Sequence, residues 1–590
     1  MPMNRRVASL EERLDALTSA IETQNALASR RQHAARGGPP STSSSYSYST
    51  HSPTTQAESP PEVVPPKAVP QRQPLSSFSE SQPPLGLTWE QAENILFRFK
   101  EDMTLSFPFV WITEHTSARE LLETKPCLFR AVMLAAAPLP IPRMTKMKRN
   151  VIAFLSQHLL VEEERSLDLL QGLLILIAWA DLNSLVDQQV TNLTYLAIGY
   201  AHNLGITKIP RALLKQIGLD HVPDDVRNGK IQPNANMHSS EEMRTFLGCY
   251  YLMSLNSSHF GRQANLRSQY VDFCADTLGN APEYPSDFIL QQTVRMTQID
   301  DRISEVFGAA NDTARGQPFL FLVDENVTTL RADLDGLLEA VTHHELRKKL
   351  PHLDNEVIED LERFFRQRYY YLLVRLYEPA TYLADMPSDS TGPSPYRTTA
   401  LHNCLMAAKS FFDAIFETNN YNTRFHILSS GGQCGFVMTI CTRLLITDAP
   451  DWDATAARRV LDFTDTLSRI LGRLEDSERR RKAEVEQFVR ENGFTATAEE
   501  LAAPGRFMST AIKTRCIKGW YESRLEEVEK MTASPSSEQG MEILPGRPIF
   551  FGRTPVDRQL LALSGNDSPR WFVGLLENSA WNFDDVEMQS

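Results

Sequence analysis

The sequence predicts an all-α body, and three observations carry that expectation. From Thr88 to about Met531, long segments repeat their apolar residues at helical spacing. Short loops containing Pro and Gly separate these segments. No run of alternating apolar and polar residues with hairpin turns occurs at any length. Hydrophobic residues make up 42% of the chain, enough for a large interior. Roughly fifteen or more helices are expected.

The chain opens on a heptad stripe. Val7, Leu10, Leu14, Leu17 and Ile21 step by 3, 4, 3 and 4 residues, placing one apolar line along a helix at coiled-coil a and d positions. With Val7 at a, Arg6 falls at g and Glu11 at the next e, an opposite-charge pair that favours a parallel partner. About two and a half heptads make only a marginal isolated pair. Residues 1–36 therefore read as an accessory dimerisation helix, for a homodimer or a heterodimer. The alternative is an amphipathic helix docked on the chain's own body. The tether that follows at once favours self-association.

Residues 37–87 are dominated by Ser, Pro, Thr and Gln, as in PPSTSSSYSYSTHSPTTQAESPPEVVPP. Such a stretch buries too little apolar surface to offset the entropy of ordering, so a disordered linker is expected. Residues 88–531 form the helical body. Thr88 and Gln91 fit a capping box, and Ile95, Leu96 and Phe99 follow at helical spacing. SLDLLQGLLILIAWADL, NLTYLAIGYAHNLGI, EEMRTFLGCYYLMSL, FFRQRYYYLLVRLYEPA and CLMAAKSFFDAIF read as helices buried over a wide face. Gly205, after AHNL, reads as a helix stop in the left-handed conformation.

Past about Thr532 the periodicity fails. Residues 532–590 form a loop-rich tail that couples Trp571, Phe572, Leu575, Leu576, Trp581 and Phe583 to Glu577, Asp584, Asp585 and Glu587. Acidic neighbours keep such aromatics solvated and open to a partner's groove, the composition of an acidic-hydrophobic activation segment. A C-terminal helix packing Trp571 and Leu575 back on the bundle fits as well, and the two readings stay open together.

The formal charge of −14 excludes a body that holds nucleic acid by broad electrostatic attraction. Cys127, Cys249, Cys274, Cys404, Cys434, Cys441 and Cys516 form no CxxC pair, so no zinc ribbon or disulfide framework is expected. They read as small buried hydrophobes. The N-terminus lacks the apolar region of a signal peptide. The longest apolar run, Leu167 to Ala180, contains Asp168 and Gln171 and is too short to span a bilayer. The expectation is a soluble intracellular protein with no membrane partner.

No catalytic motif stands up: there is no HExxH, GxSxG, phosphate-binding loop or dinucleotide fingerprint. The chain is not expected to be an enzyme. Asp300-Asp301 invites comparison with the aspartate-rich helix of terpene cyclases, but Ser304 stands where a carboxylate should close that motif. The two aspartates read instead as part of a solvated helix face. His343-His344 point about 100° apart on a helix and cannot easily share an ion. Arg479-Arg480-Arg481-Lys482, set among Glu475, Asp476, Glu478 and Glu484, reads as a solvated face laced with i,i+4 pairs.

Several segments, taken in order, resemble the regulatory region of fungal transcription factors of the binuclear zinc cluster family. They are FPFVWI (Phe107 to Ile112), KPCLFRAVMLAA (Lys125 to Ala136) and ERSLDLLQGLLILIAWA (Glu164 to Ala180), then AHNLGITKIP from Ala201 and EEMRTFLGCYYLMS from Glu241. RLYEPA from Arg375 and CTRLLITDAPDWD from Cys441 complete the series. The heptad helix ahead of a linker is similar to the dimerisation element these proteins carry after the zinc cluster. The resemblance implies a multi-helical regulatory domain and a nuclear regulator of a metabolic or secondary-metabolite gene set. The six-cysteine cluster that defines the family is absent from this chain. No cofactor is therefore expected here, with zinc only in a cluster encoded upstream of Met1. Either the protein is a zinc-less relative or that upstream segment supplies the DNA contact; a related partner's cluster would serve the same end.

Overall fold

The computed structural model describes residues 83–179, 187–207, 238–260, 268–313, 318–381, 395–417, 428–446 and 452–533. Among them lie 18 α-helices and no strand, the class that the periodicity predicts. None of the described helices is long and apolar enough to cross a membrane.

Just ahead of the capping box, Pro84–Gly86 form a 3-10 turn and Leu87 is buried. Thr88 Oγ1 accepts the Gln91 N–H at 3.2 Å and the Gln91 side chain accepts the Thr88 N–H at 2.8 Å, opening α1 (Trp89–Arg98). A π turn, Phe99–Met103, extends it. Then come α2 (Ala118–Thr124), α3 (Pro126–Ala136), α4 (Ile141–Ser156) and α5 (Leu167–Ala178). Every residue of α5 after Leu167 is buried.

The one acid inside α5, Asp168, has a defined task. Its carboxylate accepts the backbone N–H groups of Cys127 at 2.9 Å and Leu128 at 2.7 Å. It thereby caps α3, whose own flanking Lys125 offers no side-chain cap. Burial still pushes the Asp168 carboxyl up, against the pull of those two bonds. Helices α3 and α5 pack closely. A Cβ added to Gly172 would lie 2.5 Å from Cys127 Sγ and 3.0 Å from its carbonyl carbon.

Helix α6 (Asp187–Leu204) stops at Gly205, whose φ of +81° is the left-handed conformation expected there. With α7 (Ser240–Phe260) and α8 (Gln269–Asn280), these helices enclose a first apolar core that includes Phe99, Phe107, Phe109, Trp179 and Tyr251. A second core is built by α10 (Pro318–Ala340), α11 (His343–Lys349), α12 (Asn355–Tyr377), α13 (Pro395–Phe416), α14 (Leu428–Ile446) and α15 (Ala454–Val460), with α16 (Phe463–Glu491) and α18 (Arg506–Ala533). Helix α9 (Ser286–Thr313) serves both: Leu290 and Val294 face the first core, and Ile289, Met296, Ile299 and Ile303 the second.

Helix α16 braces the two. Its start buries Phe463, Leu467, Ile470 and Leu474 in the second core, while Phe488 and the following Phe494 pack on the first. Its far end is tied to α1: Gln91 Nε2 donates to the Asn492 carbonyl at 2.6 Å, and Arg98 pairs with Glu484. Arg143 of α4 donates to the Thr495 carbonyl.

The basic run on α16 differs from expectation in part. Two of its pairs reach back three residues, Arg479 to Asp476 and Arg481 to Glu478. Glu478 is buried, and besides Arg481 it accepts the Gly505 N–H at 2.8 Å. Lys482 donates to the Ala502 carbonyl at 3.2 Å. This part of the run clamps the turn between α17 (Ala498–Ala502) and α18, because the neighbouring helix supplies backbone partners that a single-helix reading leaves out. The cysteines follow expectation with two exceptions, the half-buried Cys434 and the exposed Cys516.

Candidate functional site

Polar side chains gather where α7, α9 and α12 meet between the cores. Helix α7 brings Arg244, Tyr250, Tyr251, Ser254 and Ser258. Helix α9 brings Asp287, Thr297, Asp300, Asp301 and Ser304, and α12 brings Arg368, Tyr371 and Arg375. Within a helix, steps of three, four and seven return to one face, so each helix lays a polar strip on an otherwise apolar surface.

Three guanidinium groups organise this seam. At one end Arg244 forks onto Asp287, Nε to Oδ1 at 2.6 Å and Nη2 to Oδ2 at 2.9 Å, and also reaches Glu283 at 2.8 Å. Asp287 is fully buried and also accepts the N–H groups of Glu283 and Tyr284. At the other end Arg375 meets Asp300 at 3.2 Å, Ser304 Oγ at 2.8 Å and Glu378 at 3.7 Å, with its guanidinium 5.3 Å from the Phe436 ring centre. Burial acts to lower the pKa of Arg375, but Asp300, Tyr371 and Glu378 outweigh it and the net shift is upward.

Arg368 lies between. Its Nη1 donates to Tyr251 Oη at 3.2 Å and its Nη2 to Thr297 Oγ1 at 2.7 Å. Nearby, Asp301 Oδ2 accepts Tyr250 Oη at 2.5 Å and Ser254 Oγ at 2.9 Å. Burial pushes the Asp301 carboxyl up to about 6, against those two bonds, with Asp300 and Glu305 adding to the rise. Burial likewise raises Tyr371, whose hydroxyl is 3.4 Å from Ser258 Oγ. The arrangement offers charge recognition in a buried setting beside aromatic rings.

The placement of Asp300 and Asp301 corrects the sequence reading. Both are buried, not solvated. Arg375 lies 75 residues from Asp300 in sequence, and Tyr250 lies 51 from Asp301, so no window on α9 alone contains these partners. Arg368 and Arg375 escape a single-helix reading for the same reason. The available signal is their seven-residue spacing within the apolar FFRQRYYYLLVRLY segment. His343 is half-buried and His344 exposed.

The expected dimerisation residues, Val7, Leu10, Leu14, Leu17 and Ile21, lie outside the described residues. So do the expected activation-segment residues Trp571, Phe572, Leu575, Leu576, Trp581, Phe583, Asp584 and Asp585.

No protein-family model matches the chain, and no solved structure matches it. Curated proteins do. The chain is 24% identical over 395 residues to "Transcription factor opdL" of Penicillium oxalicum, covering 65% of this chain and 64% of that one. It is 24% identical over 398 residues to "Transcription factor himD" of Aspergillus japonicus, covering 66% and 62%. A third match, 26% over 231 residues, is to "Transcription factor pbcR" of Emericella nidulans, covering 38% and 31%. The match thus spans less than two thirds of the length of each of these relatives. At the level of proteins named as fungal transcription factors, the comparisons agree with the resemblance read from the residues.

Proposed function

We propose that the chain is the regulatory body of a fungal transcription regulator, not an enzyme, which acts in the nucleus on a metabolic or secondary-metabolite gene set. It works as a homodimer or with a related factor, through the heptad stripe from Val7 to Ile21. DNA is reached through a zinc cluster outside this sequence, encoded upstream or carried by the partner, and the acidic-aromatic tail recruits the transcription machinery. The observation that carries this reading is the similarity to proteins named as transcription factors over 65% and 66% of the chain. Deleting the gene and measuring transcripts across conditions in which it is expressed tests it. A coherent set of genes should change, and unchanged transcripts would refute the reading.

A second reading is a helical co-regulator that does not touch DNA itself, favoured by the net charge of −14. Sequencing the transcript upstream of Met1 separates the two. An in-frame CxxC…CxxC segment supports the DNA-binding factor and removes the co-regulator.

A further inference from the structure

Buried charges in folded chains are paired, because an isolated ion in a dry interior is costly. The polar seam obeys this at both ends. Arg244 has Asp287 and Glu283, and Arg375 has Asp300 and Glu378. Arg368 between them does not. It is 3% exposed, and among the described residues no carboxylate lies within 4.0 Å of its guanidinium. Its partners are two neutral hydroxyls and the Tyr251 ring, whose centre is 5.3 Å away. Its Nε–H is buried with no acceptor. A guanidinium cannot shed its proton to escape this position. The nearby acids are engaged elsewhere, Asp300 by Arg375 and Asp301 by Tyr250 and Ser254.

We propose that Arg368 anchors a small organic carboxylate that enters the seam between α7, α9 and α12. The Arg368 Nε–H is unpartnered, and Nη2 beside it carries a second hydrogen besides the one it gives Thr297 Oγ1, so this planar edge can still meet a carboxylate side by side. The walls favour an acid with an apolar body: Tyr251 lies against the guanidinium, and Tyr371, one turn along α12, meets the Phe436 ring edge-on at 5.8 Å. A phosphate group would call for more donors than this partly occupied edge supplies. Ser304, seven residues or about 10 Å along α9 from Thr297, is exposed and marks the solvent end of the polar strip on α9, where Arg375 holds its hydroxyl. A bound carboxylate would neutralise Arg368 and join three helices that serve both cores.

The test needs no knowledge of target genes, so it stands or falls apart from the regulatory reading. The purified full chain is melted with sodium benzoate, sodium acetate or sodium chloride at equal ionic strength, and benzoate binding is measured by calorimetry. Wild type should melt higher with benzoate than with chloride. Arg368→Met, which keeps an apolar chain of similar reach, should weaken benzoate binding by about 10- to 100-fold. Without ligand it should melt at or above wild type, since replacing an unpaired buried ion by an apolar side chain relieves the fold. Arg368→Lys keeps the charge but loses the fork, and should bind more weakly than wild type without that gain in melting temperature. Three results would each overturn the proposal. One is a wild type that responds to benzoate and acetate no more than to chloride. Another is Arg368→Met binding benzoate like wild type. The third is Arg368→Met melting several degrees lower without ligand, which would make Arg368 a structural member of the seam.

Discussion

Changing Asp301 to Asn removes one ionisable group from the polar seam and leaves an oxygen that still accepts from Tyr250 and Ser254. In the folded chain burial raises this carboxyl from 3.8 to about 6. A folded value above the unfolded one means that the folded chain holds the proton more tightly. The stabilisation that Asp301 gains from its proton is therefore complete below about pH 4 and lost as pH rises through about 6. A shift of about two units, at 1.36 kcal/mol each, corresponds to about 3 kcal/mol. Asp300 and Glu305 face the same carboxyl and push it the same way, so raising the pH adds repulsion to the cost of burial. Asp301→Asn should then be more stable than wild type by up to about 3 kcal/mol near pH 8, with the advantage shrinking towards pH 5. Urea unfolding of both proteins across that range, followed by circular dichroism, measures it. A stability difference that does not change with pH, or a variant less stable than wild type near pH 8, would refute the reasoning.

Other perturbations probe other parts of the chain. Gly172→Ala sets a methyl group against the Cys127 sulfur and backbone, and should destabilise by about 1–3 kcal/mol in the same unfolding assay. An unaffected midpoint would mean that α3 and α5 are not in such close contact. Leu14→Glu places a charge at an a position and should dissociate a dimer held by the stripe from Val7 to Ile21; sedimentation showing equal masses for variant and wild type would exclude that role. Residues 560–590 fused to an unrelated DNA-binding domain should activate a reporter. Alanine at Trp581 and Phe583 should abolish this, since those rings supply most of the apolar area a groove could bury, and an inert parent fusion would exclude an activating tail.

What could be read from the sequence was local. The Thr88–Gln91 box and the Gly205 stop each involve groups within a few residues of one another, so spacing alone defines them. The helical class follows from apolar periodicity for the same reason. Long-range polar partners could not be read in this way. Asp168 looks like a flaw in an apolar helix until α3, 40 residues earlier, presents two backbone N–H groups to it. Asp300 and Asp301 look like a solvated edge until α7 and α12 cover them. Glu478 looks like one more acid around a basic run, yet it is buried against Gly505. In each case the residue type is visible, and its environment is set by a helix that no local window contains. Arg368 sits at the limit of such reading, since its seven-residue step to Arg375 marks a strip without saying what covers it.

Helix α16 has a mechanical consequence. At 29 residues it is a rod of about 43 Å, seated in the second core at Phe463 and fastened to α1 through Asn492 and Glu484. A tilt of about 5° at the seated end would carry the fastened end through roughly 4 Å, about the rise of two to three residues along a helix. The residues it holds there, Gln91 and Arg98, lie within ten positions of Thr88, where the expected linker hands over to the body. Repacking around Leu467 or Ile470 would thus act as the short arm of a lever whose long arm ends beside the first helix of the body.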